Sequence, residues 1–218
     1  MVKTLEFACS HNHGRSPLAG AFAEKVLADR EVEGYSVVSS GTRVNEINSM
    51  LEGWTEIPHD EIGFTLDIAL RRGLLSPSES ASVIQALSKP ERTTRDYLVI
   101  QRAGVKTLRT VVGEEHAYRE EAFRQFGLGS PKQTHDQTIA VPDRTLWLGM
   151  GKSNTKFATQ IYAGRKDPTI DTLAGYATRT PGAEFKSGFG GTLQDYLAMA
   201  EVIRYLTTQA MDRALSEL

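Results

Sequence analysis

Apolar positions in this chain alternate between extended and helical spacing. Residues 3–8, Lys3 to Ala8, form a short, mostly apolar run that ends at Cys9, which predicts a strand. From Ser16-Pro17 onward, Leu18, Ala21, Phe22, Val26 and Leu27 recur at helical spacing to about Arg30, and Pro17 suits a first helical turn, where its missing N–H is no loss. Tyr35-Ser36-Val37-Val38-Ser39 predicts a second strand, stopped at Gly41. Strand, loop, helix and strand in this order make a βαβ unit, which implies a parallel sheet. A third strand is predicted at Thr145–Leu148 and a weaker fourth at Thr169–Leu173. Leu193, Tyr196, Leu197, Ala200, Ile203, Leu206 and Met211 then mark a long amphipathic C-terminal helix.

Between about 74 and 138 the pattern changes. Ser76-Pro77-Ser78-Glu79 reads as a helix start, with Val83, Ile84 and Leu87 on one face and Pro90 as its stop. A second helix is predicted from Thr94 to Arg102 or a little beyond, and a third through Glu114 to Phe126, before the loop residues Gly127, Gly129 and Pro131. The expectation is one α/β domain over 1–218 with 74–138 as a helical insertion or cap, lying between strands two and three. Tyr97, Leu98, Val99 and Ile100 are expected to pack in its core. Arg92, Arg95, Arg102, Lys106 and Arg109 form either a solvated helical face or a substrate-recruiting one.

Composition narrows the choice of partner. A net charge of −2 over 218 residues gives no reason to expect nucleic acid or a membrane surface. No apolar run approaches the roughly 20 residues that span a bilayer. Glu6 interrupts the apolar N-terminal stretch, so it does not read as a signal peptide. Cys9 is the single cysteine. It excludes an intrachain disulfide, and with no signal peptide it points to a reducing, cytoplasmic setting.

A lone cysteine is more often a small buried hydrophobe than a reactive group, and here the neighbours decide. A loop between a strand end and a helix start turns backbone N–H groups and the positive end of the helix dipole toward one point. An oxyanion fits there, and a cysteine at the strand end is favoured as thiolate by the same field. Arg15 supplies a planar fork that can hold two oxygens of a phosphate. Ser16 can direct its hydroxyl at the sulfur.

Cys9-Ser10-His11-Asn12-His13-Gly14-Arg15-Ser16-Pro17 resembles the signature of the low-molecular-weight protein tyrosine phosphatases, a Cys and an Arg with five residues between them followed by Ser-Pro. Val38-Ser39-Ser40-Gly41-Thr42 is similar to that family's Ser-Ala-Gly-Thr segment after its second strand. Met150 and Asn154 sit like the Met and Asn after its third. Thr172–Tyr176 is similar to its fourth strand, and Phe189–Tyr196 to the approach to its last helix. The resemblance covers both ends of the chain. It implies a four-stranded parallel sheet with helices on both faces. It gives Cys9 the role of nucleophile, Arg15 that of oxyanion clamp and Ser16 that of thiolate stabiliser. Ser10, His11, Asn12, His13 and Gly14 would bind phosphate, with Asn12 bracing the loop through a contact involving Ser39. It implies a phosphorylated protein or small phosphomonoester as partner and no cofactor.

Three departures stand out. Where the family has Asp-Pro, whose Asp is the general acid, this chain has Ser187-Gly188. Another carboxylate takes over (Glu184, Asp171, Asp167 or Asp143), or the chain binds phosphate and turns it over slowly or not at all. Asp167-Pro168 restores the dipeptide, but at what should be the wrong end of the sheet. His11 replaces the family's Gly, which is costly if that position needs positive φ, a bend that Gly14 would ease. His11 and His13 serve either as positive charge at the pocket mouth or as a metal pair, the latter at odds with an anion loop. His59, His116 and His135 have no assigned role. The third departure is the insertion. Three readings compete: a phosphomonoesterase working through a Cys9 phosphoenzyme, a catalytically weak phosphate-binding module, and an arsenate reductase served by an external thiol.

Overall fold

Along β1 (Lys3–Cys9), Leu5, Phe7 and Cys9 enter one buried cluster and Ala8 another, the period of two that an extended chain imposes. In β3 (Arg144–Gly149), Leu146 and Leu148 join Leu5 and Phe7, while Trp147 packs with Ala8. Strands buried on both faces belong inside a parallel sheet. The sheet order is β2-β1-β3-β4 with all neighbours parallel, β2 being Tyr35–Gly41 and β4 Thr169–Thr172. This structure is a computed structural model that describes residues 2–52, 57, 59–129 and 137–218. Pro131, His135 and the side chain of His59 lie outside the described residues.

The chain forms two compact units, one of Met1–Val44, His116–Gly188 and Thr192–Leu218, the other of Asn45–Glu115 and Phe189–Gly191. In the first, α1 (Arg15–Asp29) and α8 (Leu193–Glu217) bury Leu18, Phe22, Met199 and Ile203 with Leu5 and Phe7. On the other face Ala158 of α6 (Lys152–Ile161) and the adjoining Tyr162 pack with Trp147. Each such apolar side chain contributes about 1.5–3 kcal/mol on burial. The sheet carries helices on both faces, as the resemblance implies.

Glu6 is 2% exposed in the middle of β1. It accepts hydrogen bonds at 2.5 Å from Arg144 Nε and at 2.5 Å from Ser40 Oγ, which lies 2.6 Å from Thr138 Oγ1. An isolated carboxylate would be very costly at this depth. The ion pair and hydroxyls make it tenable, and they tie β1, β2 and β3 together.

The second unit contains α2 (Val44–Glu52) from Asn45 onward, α3 (His59–Arg71), α4 (Pro77–Ser88) and the start of α5 (Thr94–Phe126). Met50, Ile62, Leu66, Leu75, Val83 and Ile100 form its core. The predicted start of α4 is a capping box between Ser76 and Glu79. Lys106 and the Ser76 amide hold the Glu79 carboxyl down at about 2. Lys106 Nζ sits 2.7 Å from Glu79, Arg109 donates to the Leu51 carbonyl and Arg92 to the Leu87 carbonyl, so these three cations are engaged within their own unit. Ile100 is buried and Val99 packs against the core, whereas Tyr97 and Leu98 are exposed. Four consecutive helical residues point in all directions, and one side alone is covered.

Two predicted boundaries are corrected. The helices expected at Thr94–Arg102 and Glu114–Phe126 are one 33-residue helix, α5. Gly104 does not break it: a Cβ there would lie 2.5 Å from Ile62 Cδ1 and 2.8 Å from Ile57 Cδ1, so the glycine admits close packing. The strand expected through Leu173 stops at Thr172, whose Oγ1 accepts the Gly175 amide at 2.9 Å and caps α7 (Leu173–Thr178). No helix among the described residues is long and apolar enough to cross a membrane.

Candidate active site

Cys9 ends β1 and Arg15 begins α1, so residues 10–14 form the loop between them. Four carbonyls on and beside it accept from donors outside it. Thr42 N donates to Cys9 O at 2.8 Å, Arg43 N to Ser10 O at 2.8 Å and Leu18 N to Gly14 O at 3.3 Å. A fourth donor, Arg119 Nη1, reaches His13 O at 2.9 Å. In a planar trans peptide the next residue's N–H points opposite to the C=O. The amides of Ser10, His11, Gly14 and Arg15 therefore face away from those donors, an arrangement suited to an anion.

Cys9 is a free thiol and buried. Ser16 Oγ lies 3.0 Å from Cys9 Sγ, 2.9 Å from Asn12 Oδ1 and 3.0 Å from Ser40 O. One hydroxyl proton cannot serve three acceptors at once, and a thiolate would claim it, since charge-assisted bonds are the stronger ones. Asn12 Nδ2 donates to Ser39 O at 3.1 Å. His11 does not need positive φ; that conformation falls on Asn12, at 54°, a backbone region that Asn tolerates better than most residues. Gly14 has φ −116° and is not the bend. Among the described residues Arg15 makes no ion pair.

The end of β2 presses directly on this loop. A Cβ on Gly41 would lie 2.4 Å from Val44 Cγ2 and 2.9 Å from both Asn12 N and His11 C. Overpacking of this kind typically costs about 1–3 kcal/mol. We expect Gly41→Ala to lower the urea midpoint accordingly; an alanine variant as stable as the parent would show that the loop yields freely. Thr42 is held by Asn154 Nδ2 on its hydroxyl at 3.0 Å and Gln137 Nε2 on its carbonyl at 2.8 Å.

His11 and His13 have ring centroids 4.2 Å apart, and His116 of α5 lies edge-on at 6.0 Å from His13. Among the described residues no group of three or more His, Cys, Asp or Glu could hold a metal ion. Arg119, His116, Gln137 and Thr138 are the neighbours that sequence reasoning missed. Arg119 stands 106 residues from the carbonyl it binds, so no local pattern marks it.

Ser187 is exposed, and the adjoining Gly188 amide packs 3.1 Å from Met199 Sδ. Of the alternative carboxylates, Glu184 Oε1 accepts the Lys152 amide at 2.7 Å, at the start of α6. Asp171 Oδ1 accepts the amides of Thr172 and Gly182 at 2.7 and 3.0 Å. Asp143 and Asp167 precede β3 and β4, at the sheet end opposite Cys9.

No protein-family model matches the chain, and no curated protein matches it by sequence. Solved structures do match by shape. An arginine phosphatase from Geobacillus stearothermophilus, YwlE, aligns with TM-score 0.57 and 15% identity over 99% of this chain and 94% of its own. A low molecular weight protein tyrosine phosphatase from Bacillus subtilis aligns with TM-score 0.56 and 15% identity over 98% of each chain. One from Vibrio cholerae gives 0.55 and 13% over 99% and 97%. At these identities the likeness is one of architecture: the chain has the fold of the low-molecular-weight protein tyrosine phosphatases.

Proposed function

We propose that the chain is a cysteine-dependent phosphomonoesterase. The observation that carries this reading is the Ser16 hydroxyl 3.0 Å from Cys9 Sγ, beside a loop where the carbonyls of Cys9, Ser10, His13 and Gly14 accept from outside donors. Cys9 as thiolate attacks phosphorus, an S–P bond forms and the ester P–O bond breaks. The leaving oxygen takes a proton from solvent, and water then hydrolyses the phosphocysteine to inorganic phosphate. Loop amides and Arg15 stabilise the equatorial oxygens, Ser16 the sulfur, and Asn12 with Ser39 the loop's shape. The substrate class is a phosphorylated protein or a small phosphomonoester, in keeping with the phosphatases that share the fold.

The test is turnover of para-nitrophenyl phosphate by purified protein in reductant, with inorganic phosphate as competitive inhibitor. A protein without activity above background sinks the reading. Arg15→Lys is expected to lower kcat/KM by about 10²-fold, because an ammonium cannot span two oxygens as the guanidinium fork does; an unchanged value would remove Arg15 from the site.

Serine at position 187, where the family's acid would stand, with Glu184 and Asp171 taken up by backbone amides, favours a second reading, a module that binds phosphate groups with little turnover. Its mark is phosphate binding that Arg15→Ala abolishes, without hydrolysis.

A further inference from the structure

The loop's carbonyls of Cys9, Ser10 and Gly14 are satisfied by main-chain amides. That of His13 is satisfied by a side chain, Arg119, which is 3% exposed. Burying a guanidinium is costly unless its donors are used. Here Nη1 is on His13 O, Nη2 is 2.9 Å from Glu120 Oε1 and 3.2 Å from His116 Nε2, and Nε is 3.3 Å from Glu120 Oε1. Glu120 itself is more than half exposed.

We propose that Arg119 is a positioning residue: by holding the His13 carbonyl outward it fixes the Gly14 amide toward the bound oxyanion. This rests on the phosphate-loop reading above. The C=O and N–H of one peptide are antiparallel, so a donor on the first aims the second. The peptide is followed by glycine, which has no Cβ to bar the flipped orientation. Flipped, it would turn a carbonyl oxygen on the anion. A charged donor on the outer side opposes the flip and polarises the amide.

The experiment titrates inorganic phosphate by calorimetry against wild type, Arg119→Met and Arg119→Lys, with melting temperatures and para-nitrophenyl phosphate kinetics on the same samples. Losing an oxyanion donor outright costs about 10²–10³-fold. Losing its positioning in Arg119→Met, a smaller change than losing the donor, is expected to weaken phosphate binding by about 10- to 100-fold, below that scale. Arg119→Lys, which keeps a charged donor, should recover most of it. A merely structural role would lower the melting temperature and leave the folded protein's affinity unchanged. Should the Met variant not fold, Arg119→Gln, with a neutral donor, is expected to fall between wild type and that loss, and wild-type affinity there overturns the proposal. Turnover in wild type with unchanged affinity in Arg119→Met sinks the role of Arg119 alone. Phosphate binding without turnover, weakened in Arg119→Met, sinks the enzyme reading and keeps Arg119. Wild type that binds no phosphate sinks both.

Discussion

Replacing Cys9 by serine is expected to lower turnover of para-nitrophenyl phosphate by on the order of 10⁴–10⁶-fold, the scale on which removing a nucleophile acts in other covalent enzymes. The loss has two parts. A serine hydroxyl is far weaker as an acid than a thiol, so little of it is ionised at neutral pH, whereas the thiol is the most readily activated of these nucleophiles. The Ser16 hydroxyl, 3.0 Å from Sγ, would then face a neutral oxygen and contribute an ordinary hydrogen bond. Phosphate affinity should survive, because the loop amides and Arg15 are unchanged. The check is steady-state kinetics beside a phosphate titration on the same sample. Residual turnover close to wild type would mean that hydrolysis runs without a phosphocysteine, and the proposed mechanism would fall.

The second large effect concerns the leaving group. The rate on phenyl phosphate is expected to fall below that on para-nitrophenyl phosphate by about 10²–10⁴-fold, the usual contribution of a positioned acid. A phenolate of pKa about 10 needs a proton as it departs, and Ser187 is a poor donor. Glu184 and Asp171 are tied to backbone amides, and Asp143 and Asp167 lie at the other end of the sheet. Comparable Cys9-dependent rates on both esters would mean that a carboxylate does serve as acid. Glu184→Gln is then the variant that tells whether it is the one freed from the Lys152 amide.

The strands were legible because alternation and apolar runs are local. Leu5, Phe7 and the Leu146–Trp147–Leu148 triplet announce their faces without help from the rest of the chain. So does α8, whose stripe from Tyr196 to Met211 is nearly all buried. The continuity of α5 was not legible: Gly104 and Gly113 fall in the gap between the two expected helices, and only the structure sets Ile57 and Ile62 against Gly104. No element was predicted for α2, although Val44, Ile47 and Met50 stand at helical spacing. In the candidate site, the motif from Cys9 to Ser16 is contiguous and carries a local pattern, but two of the devices that shape the loop carry none. Gly41 works through a contact with Asn12 and His11, and Arg119 through a carbonyl far away in sequence. Such pairs carry no periodicity. Whether position 11 needs a glycine-like bend could not be read locally; Asn12 takes it.

The Glu6–Arg144–Ser40–Thr138 group constrains how this sequence can change over generations. Removing Arg144 alone strands a buried carboxylate, which typically costs about 3–5 kcal/mol, whereas exchanging a whole buried ionic group for apolar residues of like volume is often neutral. The intermediates are therefore worse than either endpoint, and coupling of this kind makes single-step effects non-additive. Descendants of this chain should keep all four residues or lose them together, so a homologue with leucine at position 6 should also lack the arginine at 144.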